Sequence, residues 1–404
     1  MSLLNKLIIN LIYLNAAILL LPDKLKPILI FLLFISVIFR YFKLKKKPVL
    51  QNRKYVASIL FFIILVVSCF YSQDTFNAIK KVETSLSLII FPTIFYFIAG
   101  DKEIINYKTL TIVKKVFIFS VLTFLLISFS YFFATEPYYT FKSTLVHYSN
   151  LVNIRVSMYL IHPIYLSIFV GVAIIFCLQI INESNSKKNR LFIISLLLLI
   201  VFMAILSKKG PILSFIPLGI FFLLKNTNKK VYYLIPFFLI LIVSIIYLPK
   251  YKGINNFVEL NNLVNNQNEQ NSSTGIRLQI YDCSIEQIIK SPVFGYGIGD
   301  ASNVLNECYE KKNPILLEKN YNSHNQFLSI YLSTGIIGFV AFIYFLVFII
   351  KVANKKDTQI LFLLVLYFCF NMFTENILER EDGVILVSFL LSLYLFDNKQ
   401  VIYD

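Results

Sequence analysis

Long apolar runs recur from one end of this 404-residue chain to the other, and none carries an Asp, Glu, Lys or Arg in its interior. A hydrocarbon core ~30 Å thick is crossed by about 20 apolar residues, and inside it a helix satisfies its own backbone polar groups. The runs lie at residues 7–22, 27–42, 55–72, 84–99, 116–134, 158–182, 191–206, 211–224, 231–248, 327–350, 359–373 and 384–396. They predict an all-α polytopic membrane protein of about 12 transmembrane helices. A mean hydropathy of +0.72, with 57% hydrophobic and 15% charged residues, excludes an ordinary soluble domain on the same ground. The first run lacks a small-residue cleavage site and a second run follows at once, so it is expected to stay as a span.

Orientation turns on whether 191–206 and 211–224 are two spans or one, because a single span would invert everything after it. Two spans, with the N-terminus inside, place the clusters Lys43/Lys45/Lys46/Lys47, Lys114/Lys115, Lys187/Lys188/Arg190, Lys225/Lys229/Lys230 and Lys351/Lys355/Lys356 in the cytoplasm. On that reading 22 of the 38 basic residues but only 6 of the 22 acidic ones face inward, the positive-inside bias. Both termini are therefore expected to be cytoplasmic. The net charge of +16 then meets anionic inner-leaflet lipid and needs no nucleic-acid partner. Arg40 lies near the end of its run, where it is expected to snorkel to the interface. Ion-coupled carriers place ionisable groups or broken helices near the midplane; these runs offer no such charges, and the chain shows no internal repeat.

The runs divide the chain into spans one to nine (1–248), one large loop expected to be periplasmic (249–326), and spans ten to twelve with the C-terminus (327–404). The loop is too long to be a passive connector. Its first part, to Thr274, is rich in Asn and reads as solvated cover. From Gly275 the positions Ile276, Ile280, Ser284 and Ile288 recur at helical spacing until Ser291-Pro292, predicting a short helix with Arg277 in its first turn and Tyr281 one turn later on the same side. Gly295-Tyr-Gly-Ile-Gly299 lacks the strand and the Lys-Ser/Thr of a phosphate loop and reads as a tight turn back to the membrane. Asn322-Ser323-His324-Asn325 then leads into span ten, placing one of only three histidines at the water boundary, where a neutral imidazole can take a proton. Asn322, Ser323 and Asn325 are also ordinary helix-capping residues. Cys283 and Cys308 share the loop, either paired or as free thiols, and no Cys or His cluster suggests a metal.

The run from Arg277 through Ser291-Pro-Val-Phe-Gly-Tyr-Gly to His324-Asn325, nine residues and Gly335-Ile-Ile-Gly338 resembles the signature region of the O-antigen ligase and polymerase superfamily of bacterial membrane glycosyltransferases. In O-antigen ligases a His, a small polar residue, nine residues and Gly-x-x-Gly recur, and His324, Asn325, Gly335 and Gly338 meet that spacing without a gap. The resemblance covers roughly residues 275–350 and implies a GT-C-like fold in the inner membrane. It implies transfer of a glycan from undecaprenyl diphosphate to an acceptor hydroxyl on the periplasmic face, without metal or cofactor. The acceptor is the lipid A core for a ligase, or the next lipid-linked repeat unit for a polymerase of O-antigen or capsule. Within it, Arg277 would clamp diphosphate oxygens and His324 would act as base. The family's second external Arg, in a Ser-Arg-Gly-like turn, corresponds to Lys209 in Ser207-Lys208-Lys209-Gly210, where charge is kept and the bidentate fork is lost. Lys208 would share the diphosphate. His162, beside Pro163 at the outer end of span six, either lines the pocket with Tyr281 and Asn325 or caps a proline kink. Arg155 and the group Glu375, Glu379, Arg380 and Glu381 also lie outside and are candidate contacts to the acceptor sugar without a specific warrant, and His147 has less. A non-catalytic carrier of the same lipid-linked sugars is the reading from outside the enzyme class.

Overall fold

The computed structural model describes residues 3–44, 51–135, 140–155, 161–183, 190–225, 273–355 and 359–397. The expected span 231–248 and the Asn-rich part of the loop up to residue 272 lie outside the described residues. Among those described the chain is helical, with no strand. The helices are α1 (Leu3–Ala16), α2 (Lys26–Leu44), α3 (Asn52–Cys69), α4 (Thr75–Ser85), α5 (Ser87–Phe97), α6 (Tyr107–Thr135), α7 (Phe141–Arg155), α8 (Pro163–Glu183) and α9 (Arg190–Leu206). They continue with α10 (Lys209–Leu213), α11 (Phe215–Lys225), α12 (Ser273–Lys290), α13 (Ala301–Lys312), α14 (Pro314–Glu318), α15 (Gln326–Lys355), α16 (Gln359–Met372) and α17 (Glu381–Leu395). Five stretches, Asp23–Leu44, Asn52–Cys69, Tyr107–Thr135, Pro163–Glu183 and Gln326–Asn354, are long and apolar enough to cross a membrane, and four shorter apolar helices accompany them. The chain is a multi-pass membrane protein.

Polar contacts gather at two opposite ends of the bundle. At one, Arg40 pairs with Asp101 and donates to Asn5 at 2.6 Å, Lys114 meets Glu183 at 3.2 Å, and Tyr96 donates to Asn52 at 2.7 Å. At the other, Lys26 bridges to Asp382 at 2.6 Å, and the Asp300 carboxylate accepts the backbone N–H groups of Gln73 and Asp74 at 2.6 and 2.9 Å. Arg40 corrects one expectation. It is buried, with 4% of its surface exposed, because Asp101 and Asn5 supply its partners inside the protein and it has no need to reach for the interface.

Aromatic pairing fixes the direction of the doubtful pair of runs. Phe192, at the start of α9, packs near Lys115 at the first end, whereas Phe202 near its close packs on Phe129 and Tyr148. After the break at Ser207 and Lys208, Phe215 meets Tyr367 and Phe221 meets Phe362, so α11 descends α16 toward the first end. The chain therefore reverses at Ser207, and the two runs are separate. Three helices had no apolar signal of their own. Helix α4, capped by Asp74, carries Lys80, Lys81 and Glu83, so the expected span 84–99 is reduced to α5. Helix α7 lies in the expected connector 135–157, and α13 lies in the large loop. Helix α8 begins at Pro163, so this proline starts a helix, where its missing N–H costs nothing, and makes no kink.

Helix α15 breaks at Gly335, whose φ of 61° and ψ of −162° are open in practice only to glycine. The break frees backbone groups, and the turn after α12 occupies them: Tyr296 N–H donates to Leu332 O at 2.8 Å, Gly297 N–H to Ser333 O at 2.9 Å, and Ile336 N–H to Pro292 O at 2.9 Å. A Cβ at Gly335 would stand 2.1 Å from Val293 O, and one at Gly297 would stand 2.2 Å from Ser72 Oγ. The glycine-rich turn thus returns the loop to the membrane helices by threading a broken helix. Cys283 and Cys308 form a disulfide that ties α12 to α13.

Candidate active site

Five separate chain segments meet at the second end of the bundle. Helix α12 brings Arg277 and Tyr281, and the lead into α15 brings His324. The start of α8 brings His162, the α9–α10 turn brings Lys208, and the α16–α17 connection brings Glu375 and Arg380. Tyr281 joins three of them: its hydroxyl lies 3.3 Å from His324 O and 3.2 Å from Phe373 O, and can donate to either carbonyl. Gly210 joins a fourth, since a Cβ there would stand 2.3 Å from Thr374 Oγ1. A side chain at 210 would have to displace the Thr374 side chain, so glycine lets the Lys208 turn lie close against the residue preceding Glu375.

The strip 322–329 is fastened along the 375–379 connection. Asn376 Nδ2 donates to Ser323 Oγ at 3.0 Å, Asn322 Nδ2 to Glu379 Oε2 at 3.2 Å, Leu378 N–H to Gln326 Oε1 at 2.6 Å, and Ser329 Oγ to Glu379. Between these fastenings His324 holds a left-handed backbone with φ of 45°, kept there by its own N–H donating to Asn322 Oδ1 at 3.2 Å and by Tyr281 at its carbonyl. Such a conformation costs a non-glycine residue on the order of 1–3 kcal/mol and persists where neighbours over-determine it. The imidazole Nδ1 faces Glu375 Oε2 at 3.6 Å, an ion-pair separation slightly too long for a formed hydrogen bond. Glu375 is 5% exposed, and neither of the two facing atoms has a hydrogen-bond partner among the described residues.

Charge explains how a carboxylate survives there. Burial pushes the Glu375 carboxyl upward, but His324, His162 and Arg277 more than offset this and leave it below the ordinary carboxylate value. Burial, with Arg277 adding and Glu375 opposing, pulls the Lys208 ammonium below its usual value. Burial and then Arg380 push His162 down to about 4, with Lys208 and His324 acting in the same direction and Glu375 against it. His162 caps α8: its Nδ1 lies 3.3 Å from Ile164 N–H and accepts from it, and its carbonyl accepts from Leu166 N–H at 3.1 Å. An accepting Nδ1 puts the proton of the neutral ring on Nε2. The Tyr281 phenol is raised by burial, with Glu375 reinforcing and Arg277 opposing.

The structure thus brings together Arg277, Tyr281, His324, His162 and Lys208. Lys209 is half-buried and opens α10. Asn325 is a helix cap, its Oδ1 accepting the N–H groups of Phe327 and Leu328 at 2.9 and 3.2 Å. His147 sits exposed on α7. Glu375 had no specific warrant in the sequence; the signal available was five charges in the short connector Glu375 to Asp382 between two apolar runs. Among the described residues no group of three or more His, Cys, Asp or Glu side chains is arranged to hold a metal ion.

A guanidinium, an ammonium, an imidazole and one buried carboxylate at a membrane boundary can bind an anionic leaving group and accept a proton beside it. Residues 193–343 match the family model described as O-antigen ligase. The chain carries a domain of the O-antigen ligase superfamily. The matched O-antigen ligase segment runs from α9 into α15 and includes Lys208, Arg277 and His324, whereas His162 and Glu375 lie outside it. It is a glycosyltransferase-type domain. No curated protein matches the chain.

Proposed function

We propose that this protein transfers a glycan from undecaprenyl diphosphate to an acceptor hydroxyl at the outer face of the bacterial inner membrane, as an O-antigen ligase acting on the lipid A core. The observation that carries this reading is the convergence of Arg277, Lys208 and His324, from three separate parts of the chain, at one end of an apolar bundle. A lipid diphosphate departs readily when fixed cations meet its charge. Arg277 offers a planar fork to phosphate oxygens and Lys208 a point charge. The attacking hydroxyl needs a base, and His324 takes that proton, a contribution of roughly 10²- to 10⁴-fold. Two features favour an outward-facing site. The lysine clusters fall on the opposite side in the alternation of about 12 spans. The Cys283–Cys308 bond belongs to an oxidising compartment.

Lipopolysaccharide from a strain lacking this gene tests the reading. Completed polymer held on undecaprenyl diphosphate, with core that carries none, is the expected result. A core bearing a single repeat unit would make the protein a polymerase instead. His324→Ala should insert normally and abolish transfer, and retained movement of lipid-linked sugar across the membrane would make it a carrier.

A further inference from the structure

We infer that Glu375 is the positioning residue for His324: its buried carboxylate holds the imidazole in the Nδ1–H tautomer and leaves Nε2 bare to accept the proton of the acceptor hydroxyl. The inference rests on the transfer reading for its chemical consequence, but its structural content is independent of it.

Three observations carry it. Nδ1 of His324 and Oε2 of Glu375 face each other at 3.6 Å, and both are buried without another hydrogen-bond partner among the described residues. A buried donor and a buried acceptor left unpaired each carry the full cost of their lost hydration, so a small approach that pairs them is favoured over leaving them apart. Hydrogen bonds of this kind are often long before substrate binds and tighten in the complex. Second, the two backbones cannot drift apart, because Ser323–Asn376, Asn322–Glu379 and Gln326–Leu378 fasten them on either side of the pair. Third, His162 cannot supplant His324 at this carboxylate as the base. Its Nδ1 is committed to Ile164 N–H, and its remaining nitrogen is a donor.

The bond changes balance. The acceptor oxygen bonds to the anomeric carbon while the bond from that carbon to the diphosphate oxygen breaks, and the diphosphate departs with the electron pair. The hydroxyl proton passes to His324 Nε2. The imidazolium so formed is doubly protonated, and the Glu375 carboxylate, now facing a full positive charge, stabilises it until water removes the proton. A neutral side chain at 375 would lack that charge, and a His324 ring turned to the Nε2–H tautomer would present a proton where a lone pair is needed.

The chain has three histidines, so ¹⁵N-histidine spectra of the full-length protein in nanodiscs can read each ring, with His324→Gln identifying the signals of that residue. In the wild type at pH 8, His324 should show the Nδ1–H tautomer and His162 the Nε2–H tautomer. Glu375→Leu should move His324 to Nε2–H and lower kcat by about 100-fold or more, with the donor KM within about threefold. Glu375→Asp, which keeps the charge, should retain the tautomer and recover much of kcat. A wild-type His324 in the Nε2–H form would overturn the pairing without recourse to any variant, as would a tautomer unmoved by Glu375→Leu. Full transfer by His324→Gln, with the wild-type tautomer as expected, would leave the pairing standing and overturn the transfer reading instead.

Discussion

Arg277 and His162 show how one charged cluster asks different things of its members. Arg277 is half-buried on α12 and lowers the carboxyl of Glu375 across the site, so its fork is both counter-ion and anion clamp. Arg277→Ala should reduce transfer by roughly 10²- to 10³-fold, and Arg277→Lys should recover only part, because an ammonium cannot make two parallel bonds to phosphate. Steady-state rates with native lipid-linked donor check both; an Arg277→Ala enzyme of wild-type rate would remove the diphosphate assignment. His162 is held neutral, its value pushed from 6.5 to about 4 chiefly by burial. Between those two values the unfolded chain binds a proton that the folded chain refuses. Stability contributed by the neutral ring is therefore complete above about pH 6.5 and is lost as the pH falls toward 4. Thermal midpoints of the solubilised protein across that window should fall with acid, and His162→Gln should flatten the slope.

At the scale of elements, the broken helix α15 and the turn that threads it form one unit. Gly335 sits where a Cβ would meet Val293 O at 2.1 Å, and its backbone angles are those of glycine alone. Gly335→Ala should cost about 1–3 kcal/mol from backbone strain and more from the displaced turn. Because that turn carries α12 back toward the membrane, Arg277 and Tyr281 should lose their places too. A lowered melting temperature with transfer lost beyond what stability explains is the expected pair of measurements. Tyr281 is the complementary contact, since one phenol reaches the carbonyls of both His324 and Phe373. The disulfide between α12 and α13 braces the same unit from the water side.

For the whole molecule, every polar contact described at either end joins segments that the alternation of spans puts on one side. Short tags at Asp101, in the α16–α17 connection and at the C-terminus should report inside, outside and inside when probed with an impermeant reagent on intact and opened cells. A protected connection at 375–380 would reverse the proposed orientation and turn the site toward the cytoplasm. The bundle also explains how a site can be made from connectors. Each is short, each is pinned by helices packed through buried aromatics such as Tyr165, Tyr367 and Phe215, and the freedom usual to loops is removed.

What was legible in the sequence were properties set locally. Apolar runs announced a multi-pass helical membrane protein because lipid admits little else, and helical spacing predicted the helix α12 that carries Arg277 and Tyr281, while the charge clusters supply the orientation that is proposed. His324 stood out by rarity and by its spacing to Gly335. Helices α4, α7 and α13 did not, because their apolar content is too low to signal a span and their docking surfaces belong to other segments. The tertiary structure alone decided which polar residues face one another. It put Lys208 into the electrostatic field of Arg277 and Glu375, made Asn325 a cap, buried Arg40 with Asp101, and set Glu375 against His324. Pairings of this kind join residues as far apart as Lys26 and Asp382, 356 positions, and no local pattern records them. A charge's partner is fixed by distance through the folded protein, and that distance is absent from the order of residues.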